Sequence, residues 1–231
     1  MLVLIQARMN SKRLPKKVLF KINNQEILKH MFSRILKCKN KVNLVVATSE
    51  KKIDNAIIKL CKREKVKFFR GSQENVALRL IKCAEKFKST YFIRLCGDSP
   101  LIDPNIIDKM INLFKKKGGL DLISNRQDTS IPPGQTVEII KINSLKQAYK
   151  SFKKKSHYEH VTSFFYENKK KFNIFTTSLK KKKSKIKLTL DTKKDLIKLK
   201  RIILSFKDNK NYNLSRIEKK YQELGYVKKN N

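Results

Sequence analysis

Glycine is scarce in this 231-residue chain, and its scarcity excludes the two commonest nucleotide-binding loops. There are only six glycines, and the first of them is Gly71. A dinucleotide-binding turn needs GxGxxG after the first strand and a P-loop needs GxxxxGK[ST], because glycine lets the backbone approach a phosphate closely. Neither spacing can occur before Gly71. A nucleotide bound after the first strand must therefore be held mainly by side chains.

Long apolar runs and paired cysteines are also missing. No uncharged apolar stretch approaches the roughly 18 residues that span a bilayer, and the apolar run at residues 1–5 is too short for a signal peptide. We therefore expect a cytoplasmic protein without a membrane partner. The four cysteines form no CxxC pair, so we expect reduced thiols in the core rather than a zinc site or disulfides.

Acidic residues are few: 19 stand against 56 lysines and arginines, which gives a formal net charge of +37. Such an excess is typical of nucleic-acid-binding proteins. However, only ten of the 56 cations are arginine, and the excess extends over both halves of the chain. Proteins that read a duplex concentrate charge on one face and use arginine for bidentate contacts to bases. We therefore interpret the surplus as lysine at surface positions and expect no specific nucleic-acid partner.

Apolar runs alternate with segments of helical spacing, and this alternation predicts βαβ units. Such units build an α/β protein with a mostly parallel central sheet and helices on both faces. The strands predicted in this part are residues 2–7, 43–48, 66–69, 91–95 and 121–124. From residue 125 we predict an excursion from the sheet with an alternating run at 136–142, helices at 144–152 and 158–168, strands at 172–177 and 186–190, and C-terminal helices from Lys193 and Leu214.

The segment after the first predicted strand is strongly basic. Residues 7–17 contain five cations and no acid, and they lie where nucleotide-binding α/β proteins place their phosphate loop. Arg8, Arg13 and Lys17 could neutralise a triphosphate, with backbone N–H groups near Ser11 adding hydrogen bonds. A solvated loop in a basic protein is the simpler alternative. Two of the ten arginines within six residues favour the functional interpretation.

Two aspartates stand at the ends of predicted strands. Asp98 follows residues 91–95, and ligands of open α/β sheets bind beyond the carboxyl ends of strands. Asp191 could equally cap the helix behind it, as Asp103 is expected to do before Pro104. Two carboxylates that face a cationic loop form the donor set that Mg²⁺ needs when phosphate oxygens complete its octahedron. The residues alone favour a metal role for Asp98 and leave Asp191 open.

Seven short motifs, in order along the chain, resemble those of the cytidylyltransferases that make CMP-activated acid sugars, the CMP-Kdo and acylneuraminate cytidylyltransferases. The resemblance is strongest to the branch typified by the spore coat polysaccharide biosynthesis protein SpsF. The motifs are IQARMNSKRLPKK (5–17), VVATS (45–49), FRGS (69–72), GDSPLID (97–103), SN (124–125), EHVT (159–162) and LDT (190–192). Each is modest alone, and together they span nearly the whole chain.

The resemblance implies a Rossmann-like nucleotide-diphospho-sugar transferase fold in a single domain, residues 1–231. Residues 1–124 would form the nucleotide-binding half, 125–192 a sugar-binding and dimerisation excursion with a return strand, and 193–231 the C-terminal helices. It also implies a Mg²⁺-dependent reaction in which CTP and a sugar give a CMP-sugar and pyrophosphate. Relatives are often homodimers.

The family's site residues fall on identifiable positions of this chain. The implied nucleotide-binding residues are Ala7 (through its backbone), Arg8, Ser11, Arg13, Lys17, Gly71, Ser72 and Arg79. The implied catalytic residues are Arg8, Lys17 and Asp98, and the implied Mg²⁺ ligands are Asp98 and Asp191. Glu138 and His160 fall on the sugar side. A packing or helix N-terminal role is an equal alternative for His160, and Glu159 beside it could simply face solvent.

Two positions depart from the family pattern. Lys16 stands where many relatives have glycine, and Thr136 stands where SpsF-like relatives often have aspartate, which leaves the acceptor sugar open. A sugar-1-phosphate nucleotidyltransferase that uses UTP or dTTP is one alternative, although those enzymes usually carry a glycine-rich first loop. A nucleic-acid-binding protein driven by charge is another. A sugar-nucleotide-binding protein without catalysis is a third, but Asp98, Asp191 and Lys17 argue against it.

Overall fold

A seven-stranded sheet forms the centre of the protein. The structure, a computed structural model, describes residues 1–177, 183–206 and 212–226. The strands are β1 (Leu2–Gln6), β2 (Lys21–Ile22), β3 (Gln25–Glu26), β4 (Asn43–Ser49), β5 (Lys67–Gly71), β6 (Tyr91–Cys96), β7 (Leu122–Ser124), β8 (Glu138–Lys141) and β9 (Ile174–Thr176). Strands β2 and β3 form a separate hairpin, and the other seven form the sheet.

The order of strands in the sheet is β5-β4-β1-β6-β8-β7-β9. Strand β1 pairs in parallel with β4 and β6, and parallel pairs also join β4 to β5 and β7 to β9. Strand β8 runs antiparallel to both of its neighbours. This confirms the mostly parallel sheet and the α/β class.

The prediction that residues 136–142 leave the sheet is wrong, because β8 lies between β6 and β7. Ile139 and Ile140 are both fully buried, one on each face of the sheet. Ile139 pairs with Ile93 on one neighbour and Ile123 on the other. An antiparallel strand inserted into a βαβ sheet is specified by these cross-strand contacts, which the local sequence pattern does not reveal.

Nine helices are present in the described ranges. They are α1 (Ile27–Ile35), α2 (Asn55–Arg63), α3 (Val76–Lys86), α4 (Pro104–Lys117), α5 (Ile142–Lys150), α6 (Lys155–Glu159), α7 (Ser163–Glu167), α8 (Lys193–Ser205) and α9 (Leu214–Glu223). The single helix predicted over 158–168 is wrong, because α6 and α7 are separate. The break lies at Thr162, which is buried and donates a hydrogen bond to Glu138 at 2.8 Å. None of the helices described is long and apolar enough to cross a membrane.

Helices cover both faces of the sheet, as predicted. On one face Val3 and Ile5 pack with apolar residues of α1, α2 and α4. On the other face Leu2 and Leu4 pack with apolar residues of α3, α5 and α7. Successive side chains of a strand point to opposite faces, and both faces of β1 are buried. Its side chains at residues 2–5 are therefore all apolar. Its carboxyl end is therefore held rigidly between two cores.

A third core lies under α8 and α9 and contains Leu188 and Leu190, both fully buried. The strand predicted at 186–190 is nevertheless wrong. The N–H of Leu188 donates to the carbonyl of Pro133 at 2.8 Å, and the N–H of Leu190 donates to the carbonyl of Asp98 at 2.9 Å. These acceptors belong to loops, so no ladder forms, but the second contact places the next residue close to Asp98.

Helices α8 and α9 begin at the predicted residues. Residues 207–211 and 227–231 of the predicted C-terminal unit lie outside the described residues. The loop that packs against the backbone before α8 requires glycine at residue 134. A Cβ on Gly134, which has a φ of +100°, would lie 2.7 Å from the carbonyl carbon of Leu188. The loop can therefore approach the backbone that leads to Asp191 only because residue 134 has no side chain.

Candidate active site

A cavity of about 350 Å³ opens at the carboxyl ends of β1 and β6. Parallel strands end together at one edge of the sheet, which is where α/β proteins bind ligands. The lining residues are Gln6, Ala7, Arg8, Ser11, Lys12, Arg13, Lys17, Val18, Cys96, Gly97, Asp98 and Glu159. The structure thus brings the predicted triphosphate residues of the basic segment together with the predicted catalytic aspartate.

Close backbone packing forms one wall of this cavity. The N–H of Gly97 donates to the carbonyl of Gln6 at 2.9 Å, and a Cβ on Gly97 would lie only 2.9 Å from the Cβ of Ala7. A larger residue would push β1 and β6 apart where Asp98 begins. The N–H of Ala7 donates to the carbonyl of Ala47 at 3.3 Å, so a backbone contact from Ala7 to cytosine would have to use its carbonyl oxygen.

The basic segment is held by buried backbone contacts. The N–H of Met9 donates to the Asp54 carboxylate at 2.7 Å, and Asp54 is 1% exposed. The N–H of Lys16 closes the loop by donating to the carbonyl of Met9 at 2.8 Å. Lys16 has a φ of +62°, a left-handed conformation that favours glycine and explains the glycine of many relatives. A 3₁₀ turn then carries Lys17 into the buried interior.

Lys17 joins the two predicted metal ligands. Its Nζ lies 2.6 Å from Oδ2 of Asp98 and 3.1 Å from Oδ1 of Asp191. Arg13 contacts the same Oδ1 at 2.7 Å, and Lys187 contacts Oδ2 of Asp191 at 3.1 Å. Burial by itself raises the pKa of Asp191, but hydrogen bonds from Lys187 and Lys17 outweigh it and lower that pKa below its ordinary value. Asp191 is therefore ionised at neutral pH.

Two carboxylates form the candidate donor set for a divalent cation. In the described parts of the chain, no group of three or more His, Cys, Asp or Glu side chains could hold a metal. Asp98 and Asp191 provide two carboxylates that converge on one cationic group. Mg²⁺ is typically bound by one or two carboxylates, with phosphate oxygens and water as its other ligands. The residues fit Mg²⁺ carried by a nucleotide and do not form an all-protein metal cage.

Arg8 is held at both ends of its guanidinium. One nitrogen donates to the carbonyl of Gln73 at 2.9 Å, and the other lies 2.6 Å from Oε1 of Glu159. The Glu159 side chain is 50% exposed, but it does more than face solvent, because its carboxylate is an ion-pair partner of Arg8 and lines the cavity. The two residues are 151 positions apart. Nothing in the spacing of either residue could have indicated the pair.

Gly71, Ser72 and Arg79 lie together around a second cavity, of about 590 Å³, at the end of β5. Arg79 is 1% exposed and donates to the carbonyl of Ser72 at 2.5 Å. Its Nε has no hydrogen-bond partner within the part of the chain that the structure describes. Burial, and then the charge of Arg8, lower the pKa of Arg79 to about 10. Gln73 connects this cavity to the first through its contact with Arg8.

The two residues predicted for the sugar side lie outside both of these cavities. Glu138 is 1% exposed and forms an ion pair with Arg94. It also accepts hydrogen bonds from Thr162 at 2.8 Å and from the Tyr166 hydroxyl at 3.4 Å. His160 is exposed at the break between α6 and α7.

Six lining residues carry no role in the sequence prediction, namely Gln6, Lys12, Val18, Cys96, Gly97 and Glu159. Gln6 lies within the motif at residues 5–17, and Cys96 directly precedes the motif at residues 97–103, which is the signal that could have indicated these two. Burial raises the pKa of the Cys96 thiol to about 11, so it is a neutral thiol at pH 7. All four cysteines are free, and Cys61 and Cys83 are buried, as predicted.

Comparisons with known proteins give a consistent picture. The family model described as cytidylyltransferase matches residues 2–228. SpsF, the spore coat polysaccharide biosynthesis protein of Bacillus subtilis, is 33% identical over 202 residues, which cover 84% of this chain and 82% of SpsF. An 8-amino-3,8-dideoxy-manno-octulosonate cytidylyltransferase of Shewanella sp. is 30% identical over 122 residues, which cover 51% of this chain and 49% of that protein.

One solved structure is similar over almost its whole length. It is a cytidylyltransferase from Leptospira borgpetersenii, with a TM-score of 0.92 and 30% sequence identity. The superposition covers 99% of this chain and 96% of that protein. The sheet that carries the cavity is therefore common to both.

Proposed function

The chain belongs to the cytidylyltransferase family and is a nucleotidyltransferase, and from this premise we propose that it transfers CMP from CTP to a hydroxyl of an acid sugar with release of pyrophosphate. One observation carries the proposal. The cavity at the end of β1 places four cationic side chains beside Asp98, and Lys17 links Asp98 to Asp191. Cations that neutralise a triphosphate beside a pair of carboxylates suit nucleotidyl transfer.

The triphosphate is held by Arg8, Ser11, Arg13 and Lys17 in this proposal. Arg8 is already oriented by Gln73 and Glu159, so little reorganisation is needed when phosphate arrives. The side chain of Arg13 is 68% exposed, which lets it exchange a carboxylate for a phosphate oxygen. Gly71, Ser72 and Arg79 close the nucleoside end, where the second cavity lies.

Mg²⁺ is the proposed cofactor, with Asp98 and Asp191 as its protein ligands. When bound, it would neutralise charge on the phosphates and help pyrophosphate leave. Lys17 contacts both carboxylates, and its side chain is only 10% exposed. We expect its ammonium group to turn to the phosphates once the carboxylates have another cation to bind.

The proposed reaction is an in-line displacement at the α-phosphorus. A bond forms between the acceptor oxygen and the α-phosphorus, the acceptor hydroxyl releases its proton to solvent, and the bond from that phosphorus to pyrophosphate breaks. Negative charge builds up on the leaving pyrophosphate, where Arg8, Arg13 and Lys17 stabilise it. Positioning and charge neutralisation therefore supply most of the rate increase.

An acid sugar is the proposed acceptor class. The names of two relatives refer to a spore coat polysaccharide and an octulosonate, and the second of these is a sugar acid. The strongly cationic surroundings of the cavity would also favour an anionic acceptor.

The test is a pyrophosphate-release assay with Mg²⁺. Each of CTP, UTP, dTTP, GTP and ATP is combined with 3-deoxy-manno-octulosonate, its 8-amino-8-deoxy derivative, N-acetylneuraminate and a set of sugar 1-phosphates. Release with CTP and an acid sugar is the expected result. Release with UTP or dTTP and a sugar 1-phosphate would replace the proposal with the alternative nucleotidyltransferase. No release from any pair, together with salt-resistant binding of RNA, would favour a nucleic-acid-binding protein.

A further inference from the structure

The side chain of Gln6 has a fixed orientation at the end of β1. Oε1 of Gln6 accepts a hydrogen bond from Nε of Arg94 at 2.8 Å. A guanidinium has only donors, so the amide must present its oxygen to Arg94. The amide NH₂ group is therefore directed away from Arg94. Because Gln6 also lines the cavity, this group is available there as a hydrogen-bond donor.

Arg94 is itself held by buried groups. It is 7% exposed and forms an ion pair with Glu138, its partner across β6 and β8. Glu138 accepts further hydrogen bonds from Thr162 and Tyr166. Such a network keeps one geometry, because an unpaired charge in the interior is costly. The orientation of the Gln6 amide is thus set by residues that do not line the cavity.

The anchor of Gln6 lies on the opposite side of β1 from the groups proposed to close the nucleoside end. Gly71, Ser72 and Arg79 lie at the end of β5, on the β4 side of β1. Arg94 and Glu138 lie on the other side, in β6 and β8. Gln6 is therefore anchored from the half of the sheet that is opposite to the nucleoside end.

We propose that Gln6 binds the acceptor sugar, with its NH₂ group donating a hydrogen bond to an oxygen of that sugar. Arg94 and Glu138 are positioning residues that act through Gln6. This inference rests on the proposed function. Gln6 would then provide a hydrogen-bond donor of fixed orientation in the part of the cavity that binds the sugar. Glu138 would act on the sugar indirectly, through Arg94 and Gln6, rather than by direct contact.

The discriminating variant is Gln6→Glu. A glutamate keeps an oxygen for Arg94, so the buried network survives, but it presents an acceptor to the cavity where Gln6 presents a donor. The matched control is Gln147→Glu, which makes the same charge change at an exposed position of α5. Binding of CTP with Mg²⁺ is measured by calorimetry, and steady-state kinetics are measured with the acid sugar that is turned over, 3-deoxy-manno-octulosonate being the first probe.

Gln6→Glu is expected to raise the KM for the acid sugar by about tenfold or more while the Kd for CTP changes less than about threefold. The control should leave both constants unchanged. Glu138→Gln, which loosens Arg94, should raise the same KM by a smaller factor. These shifts separate positioning from a general loss of folded protein, which would lower kcat for both substrates together.

Two results would overturn the inference. An unchanged acceptor KM in Gln6→Glu, or a loss of affinity for CTP in place of the acceptor, would show that Gln6 has a different role while the proposed function stands. If the wild type turns over no acceptor in the panel, the proposed function fails, and the assignment of Gln6 fails with it. The wild-type control therefore distinguishes the two failures.

Discussion

The Asp98–Asp191 end of the cavity contains partly exposed ion-pair partners, whereas the ion pair at the Gln6 end is buried. The side chains of Arg13 and Asp98 are 68% and 22% exposed, while those of Lys17 and Asp191 beside them are 10% and 11% exposed. Those of Arg94 and Glu138 are 8% and 1% exposed. A partly exposed pair can exchange partners at little cost, while a buried pair keeps its geometry because breaking it leaves a charge without solvent.

The two ends of the cavity are therefore suited to different functions. The partly exposed end contains the cations that we propose bind the triphosphate, which must arrive and leave in every cycle. The buried end fixes the orientation of one amide, and a fixed donor serves recognition better than a mobile one. If the comparison is correct, substitutions at the exposed end affect turnover, and substitutions at the buried end affect stability and acceptor binding.

The largest effect is expected for Asp98→Asn at the exposed end. Loss of this carboxylate weakens the proposed Mg²⁺ site and should reduce turnover by about 10³-fold or more while the fold persists. Pyrophosphate release at saturating CTP measures it. Glu85→Gln, which removes an exposed carboxylate that lines neither cavity, is the control. Near wild-type turnover in Asp98→Asn would remove the basis for the metal assignment.

At the buried end, Glu138→Ala should lower the free energy of unfolding by about 3–5 kcal/mol, because Arg94 then lacks its buried partner. Glu85→Ala breaks the exposed pair with Lys146 and should cost less than about 1 kcal/mol. Chemical denaturation of both variants at pH 7 makes the comparison. Equal losses in the two variants would contradict the distinction between buried and exposed pairs.

Lys17→Ala should lower kcat by about 10²-fold through loss of a group that stabilises charge on the leaving pyrophosphate. Lys21→Ala, at an exposed lysine of β2, should leave kcat unchanged. Single-turnover measurements separate the chemical step from product release. If Lys17→Ala raised only the KM for CTP, the role of Lys17 would be binding alone.

The smallest effect concerns pH. The folded-state pKa of Asp191 is lowered, so its contacts with Lys187 and Lys17 stabilise the protein above the unfolded pKa, which is about 4, and are lost as pH falls through the folded pKa. The stability difference between the wild type and Asp191→Asn should therefore shrink between pH 7 and pH 3. Urea unfolding at the two pH values measures it, and a constant difference would argue against an ionised, paired Asp191.

Local pattern predicted the parts of the fold that local forces decide. The apolar run of β1 depends on burial between two cores, and the strand lies where predicted. The insertion of β8 was missed because it depends on partners in two other strands. Conversely, the local pattern at 186–190 predicted a strand that does not form. Its residues are apolar and buried, but the N–H groups of Leu188 and Leu190 donate to loop carbonyls instead of a neighbouring strand.

Local sequence is limited in the same way when it is used to predict the site. Arg8, Lys17 and Asp98 were predicted from their places after apolar runs and from the family resemblance, and the structure brings them to one cavity. The partners Glu159 and Arg94 were not predicted, because each contact joins residues that are far apart in the chain. Charge placement can be inferred from local sequence, whereas the groups that orient a charge depend on the tertiary fold.

A crystal structure of the protein with CTP and Mg²⁺ is the most direct test of the difference between the two ends of the cavity. We expect Lys17 to contact phosphate and no longer to join Asp98 to Asp191, while Gln6, Arg94 and Glu138 keep the contacts described above. A structure in which Lys17 still links the two aspartates with the triphosphate elsewhere, or in which the Gln6–Arg94 hydrogen bond is broken, would show that the two ends do not differ in this way.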